Sequence, residues 1–132
     1  LDPSFVSALI HEHRAIEARL DLLSTAIRSG EIEAGAIREL ADLIARHYST
    51  EEPFLTALGT RDPKLAAKLR TQHEEASEIA ERLLESLEAG NTADALYLSR
   101  RFLAIAQHNM IEEERDVFPL VGQIAGSGLK RA

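Results

Sequence analysis

IRELADLIARHYSTEEPFLTAL, residues 37–58, decides the fold. Ile37, Leu40, Ile44, His47, Glu51, Phe54 and Leu58 recur by threes and fours, the spacing of one helix face packed into a bundle. Five of these seven positions are apolar. The other two are an imidazole and a carboxylate, one turn apart on the face that should be dry. Burying an ionisable group without a partner costs several kcal/mol or forces it neutral, the scale of a whole domain's stability. Something must reward His47 and Glu51 for standing there.

The same stripe extends on both sides. Before it come Val6, Leu9, His13, Ile16, Leu20, Leu23 and Ile27; after it come Ala66, Leu69, His73, Ala76, Ala80, Leu83 and Leu87. Asp2-Pro3 reads as a cap followed by Pro at the first helical position, and this first helix should stop at Gly30. A second helix begins near Glu33 and fades at Gly59. Asp62-Pro63 starts a third, which stops at Gly90. Asn91 or Thr92 caps a fourth, running toward Pro119. Short connections make neighbouring helices antiparallel. The expectation is all-α: an up-down-up-down antiparallel four-helix bundle over residues 1–124, with a flexible tail over 125–132.

The turns order the histidines. His13 lies 17 residues before Gly30 and His47 lies 17 after it. His47 lies 13 before Thr60 and His73 lies 13 after it. His73 lies 17 before Gly90 and His108 lies 18 after it. Folded at those turns, the chain brings all four imidazoles to one height, which predicts a metal site in the bundle core. Asp2-Pro3, His13 and Gly30 recur as Asp62-Pro63, His73 and Gly90, and His47 recurs as His108 shifted by one. One hairpin used twice gives an approximate two-fold, and a symmetric site suits two ions. The second helix adds Glu51 four residues after His47. The fourth adds Glu112 and Glu113, four and five after His108. Bridging carboxylates with imidazoles at the outer positions suit iron, manganese or zinc. No Glu-x-x-His and no His-Glu-x-x-His occurs, so neither the carboxylate-rich ferritin-like pattern nor that zinc-protease pattern is present.

The fourth helix is irregular. Its upstream stripe of Leu98, Phe102 and Ile105 leads to His108 or Asn109, whereas its downstream stripe of Ile124, Leu120 and Val117 runs back to Glu113. A π-bulge would reconcile the two phases. Glu113 is the expected bridge and Glu112 its alternate, although acidic runs such as Glu112 to Glu114 usually face water. A lone seam histidine is usually a satisfied core residue; it is the layer of four with registered carboxylates that argues for metal. His11, two residues from His13, points the other way. Tyr48 reads as packing, and Pro53 should kink the second helix just after Glu51.

Composition excludes other classes. With 15 basic and 22 acidic residues the net charge is −7, which argues against a nucleic-acid partner. There is no Cys, so no disulfide and no thiolate ligand. No apolar run approaches the ~18 residues of a membrane span. No leader-like segment is visible, and the expected location is the cytoplasm.

Glu12-His13, His47-x-x-x-Glu51, His73 and His108-x-x-x-x-Glu113, with Val117-Phe118-Pro119 close behind, carry a resemblance. From about residue 5 to 121 the chain resembles a hemerythrin-like domain of the HHE cation-binding family. The resemblance implies a non-haem di-iron centre bridged by two carboxylates and an oxo or hydroxo group, with zinc or manganese as other occupants. The implied metal ligands are His13, His47, Glu51, His73, His108 and Glu113. Some members bind oxygen reversibly; others serve sensing, iron homeostasis, or nitric-oxide and peroxide responses. Oxygen-carrying members have His-x-x-x-His in the third helix, where this chain has Ser77 at the fifth position. That leaves a place for water, Glu74 or Glu78. Histidine-dominated ligation favours reversible binding over oxidation chemistry. The expected function is therefore binding of dioxygen or another small diatomic ligand for sensing, storage or carriage, rather than an enzyme. The alternatives are a di-iron enzyme acting on peroxide, nitric oxide or oxygen, and an iron-homeostasis protein.

Overall fold

The seams become four helices. The computed structural model describes residues 4–120. It contains α1 (Ser4–Ser29), α2 (Ala34–Arg61), α3 (Pro63–Glu88) and α4 (Thr92–Glu112), the last continuing into a π-helical turn at Glu113–Val117. Among the described residues there is no strand, and no helix is long and apolar enough to cross a membrane. The Asp2-Pro3 start, Ile124 of the downstream stripe and the tail at 125–132 lie outside the described residues.

Both hairpins close in the same way. Gly30 and Gly90 take φ of 77° and 72°, the left-handed conformation glycine adopts without penalty. The amide after each glycine then reaches back to a helix carbonyl, Glu31 N to Ala26 O at 3.2 Å and Asn91 N to Ser86 O at 2.9 Å. Gly59, by contrast, does not end α2. The helix runs on to Arg61, and Asp62 alone makes the joint. Its N–H donates to Leu58 O at 2.7 Å while its side chain accepts from Leu65 N at 3.1 Å, with Pro63 at the first position of α3. Asn91 caps α4 by accepting from Asp94 N at 3.2 Å. Pro53 sits on the exposed side of α2, and the helix continues through it.

Cross-helix pairs fix the directions. Glu12 meets His47 while Arg19 meets Glu39, so α1 and α2 are antiparallel. Arg70 meets Glu52 and Glu88 meets Arg38, which does the same for α2 and α3. Lys68 reaches Glu112 and Gln72 reaches Asn109 across α3 and α4. His13 contacts Glu113 near the far end of the chain, closing the ring between α1 and the turn after α4.

The core has two apolar parts. Ile16, Leu20, Ile44, Ile79, Leu83, Leu98 and Phe102 belong to the larger one, toward the Gly30 and Gly90 turns. Leu9, Phe54, Leu55, Leu58, Leu69, Val117 and Phe118 belong to the smaller one, toward the Asp62 joint. Between them His13, His47, Glu51, His73 and Glu113 are all buried. The π turn is the device that lets α4 serve both parts. Upstream of it Phe102, Ala106, Asn109 and Glu113 step along one face; downstream, the extra residue brings Val117 and Phe118 onto that face together.

Candidate metal centre

Four helices contribute to the polar layer. His13 comes from α1, His47 and Glu51 from α2, His73 from α3 and Glu113 from the first residue of the π turn. Glu113 is central. Its Oε1 lies 2.9 Å from His13 Nε2 and 3.7 Å from His47 Nε2, and its Oε2 lies 3.0 Å from His73 Nε2. Its two oxygens thus address different imidazoles. Glu51 Oε1 contacts His47 Nε2 from one turn along α2. His13, His47, Glu51 and Glu113 each offer a ligand atom, and these four atoms lie within 4.8 Å of one another.

The outer faces of two imidazoles are also held. His47 Nδ1 lies 2.7 Å from Glu12 Oε1, and His13 Nδ1 lies 3.1 Å from Glu114 Oε2, which Arg14 also binds. With Nδ1–H donated to a carboxylate, Nε2 is the nitrogen that would give up its proton and offer a lone pair to a metal; without one it faces Glu113 in both imidazoles. His73 is oriented differently. Tyr48 stacks on it with ring centroids 3.6 Å apart and planes 8° from parallel.

The layer carries a split charge. Burial opposes ionisation of Glu113, but contacts with His13, His47 and His73 prevail and hold its carboxyl well below the usual range. Burial pushes Glu51 up to about 8 against the pull of His47, and the nearby Glu113 charge adds to the rise. Burial works against protonated His47, yet contacts with Glu113, Glu51 and Glu12 lift it to about 10. Burial and the charges of Glu113 and Glu51 raise Tyr48. One feature is out of balance: apart from the Glu51 Oε1–His47 Nε2 ion pair, both Glu51 oxygens and His47 Nε2 are buried without a hydrogen bond. Such atoms are rare in a folded interior and call for a ligand. Imidazole nitrogens and carboxylate oxygens converging on one point are what a divalent cation would satisfy. The residues present fit a metal.

The structure does not bring all of the expected residues together. His108 turns outward; its side chain is 68% exposed and pairs with Glu112 at 3.2 Å. The reason is helical phase: Phe102, Ala106 and Asn109 carry the buried face of α4, and Asn109 is the side chain that points inward, at 1% exposure. Glu112 lies between α3 and α4, with Lys68 at 2.5 Å and Gln72 at 3.1 Å, so Glu113 is the carboxylate among the imidazoles. Ser77 and both of its alternates, Glu74 and Glu78, are exposed. The buried stripe of α3 passes through Ala76 and Ala80 instead, so no α3 side chain follows His73 into the layer from that position. The roles of Glu12, Glu114 and Gln72 were not anticipated. Glu12 was visible as part of the Glu12-His13 pair, but only packing shows that it serves His47 rather than its neighbour.

A family model described as the hemerythrin HHE cation-binding domain matches residues 4–121. No curated protein and no solved structure matches the chain.

Proposed function

The chain belongs to the hemerythrin HHE cation-binding family, and from that footing we propose that its buried layer is a non-haem di-iron site that binds oxygen or another small diatomic ligand. The observation that carries this reading is the set of buried atoms without a hydrogen bond, His47 Nε2 and both oxygens of Glu51, converging with His13 and Glu113. His13, His47, Glu51 and Glu113 would hold one ion, and His73 with Glu113 would take part in holding the other. Iron held by such donors would supply a redox-active Lewis acid.

The chain's own residues prepare the site. Glu12 and Glu114 orient two imidazoles through their Nδ1 atoms. Glu113, kept ionised by three imidazoles, supplies a carboxylate with its two oxygens facing different ways. Phe54, Phe118 and Leu9 on one side and Ile44, Ala76 and Ala106 on the other keep the layer dry. Water exclusion and histidine-rich donors favour reversible binding.

The test is metal content with an optical spectrum. Protein loaded anaerobically with ferrous iron should retain two irons per chain and develop a visible or near-ultraviolet band on exposure to oxygen or nitric oxide. Fewer than one iron per chain would overturn the di-iron reading. Full loading with no spectral response to either gas would overturn the ligand-binding one.

A further inference from the structure

Three imidazoles enter the layer, and carboxylates steer two of them. Glu12 holds His47 at Nδ1, and Glu114 holds His13 at Nδ1. Among the described residues no carboxylate does this for His73, whose acidic contact is Nε2 to Glu113 Oε2 at 3.0 Å. An aromatic face meets His73 instead. Tyr48 lies parallel to it, with ring centroids 3.6 Å apart and planes at 8°. The other ring contacts around the layer are tilted: His13–His47 by 58°, His47–Tyr48 by 52° and His13–Phe118 by 37°. A close parallel stack fixes the plane of an imidazole, as a hydrogen bond to Nδ1 does for the other two.

The helix explains how Tyr48 reaches this place. Successive side chains on a helix point about 100° apart. With His47 aimed into the layer, the next side chain swings toward α3. There its ring packs against the larger core and covers one face of His73. This is also where the layer comes nearest to solvent. His73 is 8% exposed, whereas His13, Glu51 and Glu113 are at 0% and His47 is at 2%. Tyr48 itself is half-buried, so it stands between His73 and the surface.

We propose that Tyr48 is the positioning residue for His73 and the seal over the edge of the layer that solvent touches. Its ring does for this imidazole what Glu12 and Glu114 do for the other two. The role belongs to the aromatic face and not to the hydroxyl. The part of it that concerns metal rests on the cation-binding reading given above; the stack itself does not.

Proton NMR of the metal-free protein tests the stack, and cobalt(II) binding tests its purpose, on the wild type, Tyr48→Phe and Tyr48→Leu. The His73 ring protons, identified by their loss in His73→Gln, should be shifted upfield by the facing ring in the wild type and Tyr48→Phe. They should move downfield in Tyr48→Leu. Tyr48→Leu should also bind cobalt about tenfold or more weakly, the scale on which loss of a ligand's supporting partner acts, and release it faster to a chelator. Tyr48→Phe should behave as the wild type. Circular dichroism verifies folding, and Tyr48→Met replaces the leucine variant if that does not fold. Leu83→Ala, a change in the larger core that touches none of these rings, controls for stability alone. The inference is overturned if the His73 protons do not move in Tyr48→Leu, or if that variant holds cobalt as the wild type does. It is overturned equally if Tyr48→Phe is as impaired as Tyr48→Leu, or if Leu83→Ala weakens cobalt binding as much. A wild type that binds no cobalt, with the His73 protons moving as expected, would sink the cation reading and uphold Tyr48 as the residue that positions His73.

Discussion

The two hairpins begin from one pattern and finish with opposite roles. In the first, both imidazoles turn inward, and the carboxylate, Glu51, is buried with a single imidazole, His47, in contact with it. In the second, His73 turns inward, His108 goes to the surface, and the carboxylate, Glu113, touches three imidazoles. Equivalent positions on a duplicated scaffold therefore hold different charge. Glu113 is ionised by its company, whereas at Glu51 burial and the Glu113 charge outweigh the pull of His47, and it holds its proton up to about pH 8. The lesson is that repetition brings residues to a common height, while each group's partners decide its chemistry.

Substituting the two carboxylates in turn gives the largest expected contrast. Glu113→Gln keeps the volume but removes the charge that three imidazoles face, and breaking a buried pair typically costs about 3 kcal/mol or more. Glu51→Gln resembles the protonated acid already present near neutral pH, so the metal-free protein should change by less than about 1 kcal/mol, in either direction. Both variants should lose metal. Denaturant melts of metal-free protein at pH 7 read the first difference and metal analysis the second. Equal destabilisation by the two substitutions would erase the distinction between the hairpins.

A smaller effect appears on changing pH. Glu51 and His47 both have folded-state values raised above their ordinary ones, 4.5 to about 8 and 6.5 to about 10. Raised values mean the native state holds the proton more tightly than the unfolded chain does. The stability they contribute is full below the ordinary value and is lost as pH climbs through the raised one. Metal-free protein should therefore weaken from about pH 5 to 10. Metal must displace the same protons, so its affinity should rise over that range. The gap between the melting temperatures of loaded and metal-free protein should widen with pH. A gap that stays constant from pH 6 to 9 would show that neither proton is displaced.

How much of this was legible in the sequence follows from helix geometry. Height was legible, because residue count from a turn measures distance along a helix: His13, His47 and His73, counted from Gly30, Thr60 and Gly90, are all buried in one layer, even though α2 runs past Gly59 to Arg61. The π turn was legible too, as two stripes out of phase on α4. Direction around the helix was less so. Each residue turns the side chain by about 100°, so the single-residue ambiguity between His108 and Asn109 separates a solvated imidazole from a buried amide. The same sensitivity puts Ser77 outside, one residue past buried Ala76. Glu12 and Tyr48 acquire their roles across helices, from packing that spacing along one helix does not encode.

The smallest expected effect is the sharpest check on direction. His108 is exposed, and its one carboxylate partner, Glu112, keeps Lys68 and Gln72 when the imidazole is removed. His108→Ala should therefore shift stability by no more than about 0.5 kcal/mol, as surface substitutions do, and should leave metal content unchanged. His47→Ala, its counterpart on α2, removes a buried donor that touches Glu12, Glu51 and Glu113. That variant should lose metal and destabilise the fold by about 3 kcal/mol. Metal analysis of the two variants side by side separates the possibilities. If both lose metal equally, the fourth helix must turn His108 inward when an ion is bound, rotating Asn109 off the buried face. If only His47→Ala loses it, the second hairpin contributes His73 and Glu113 alone, and the asymmetry belongs to the fold itself.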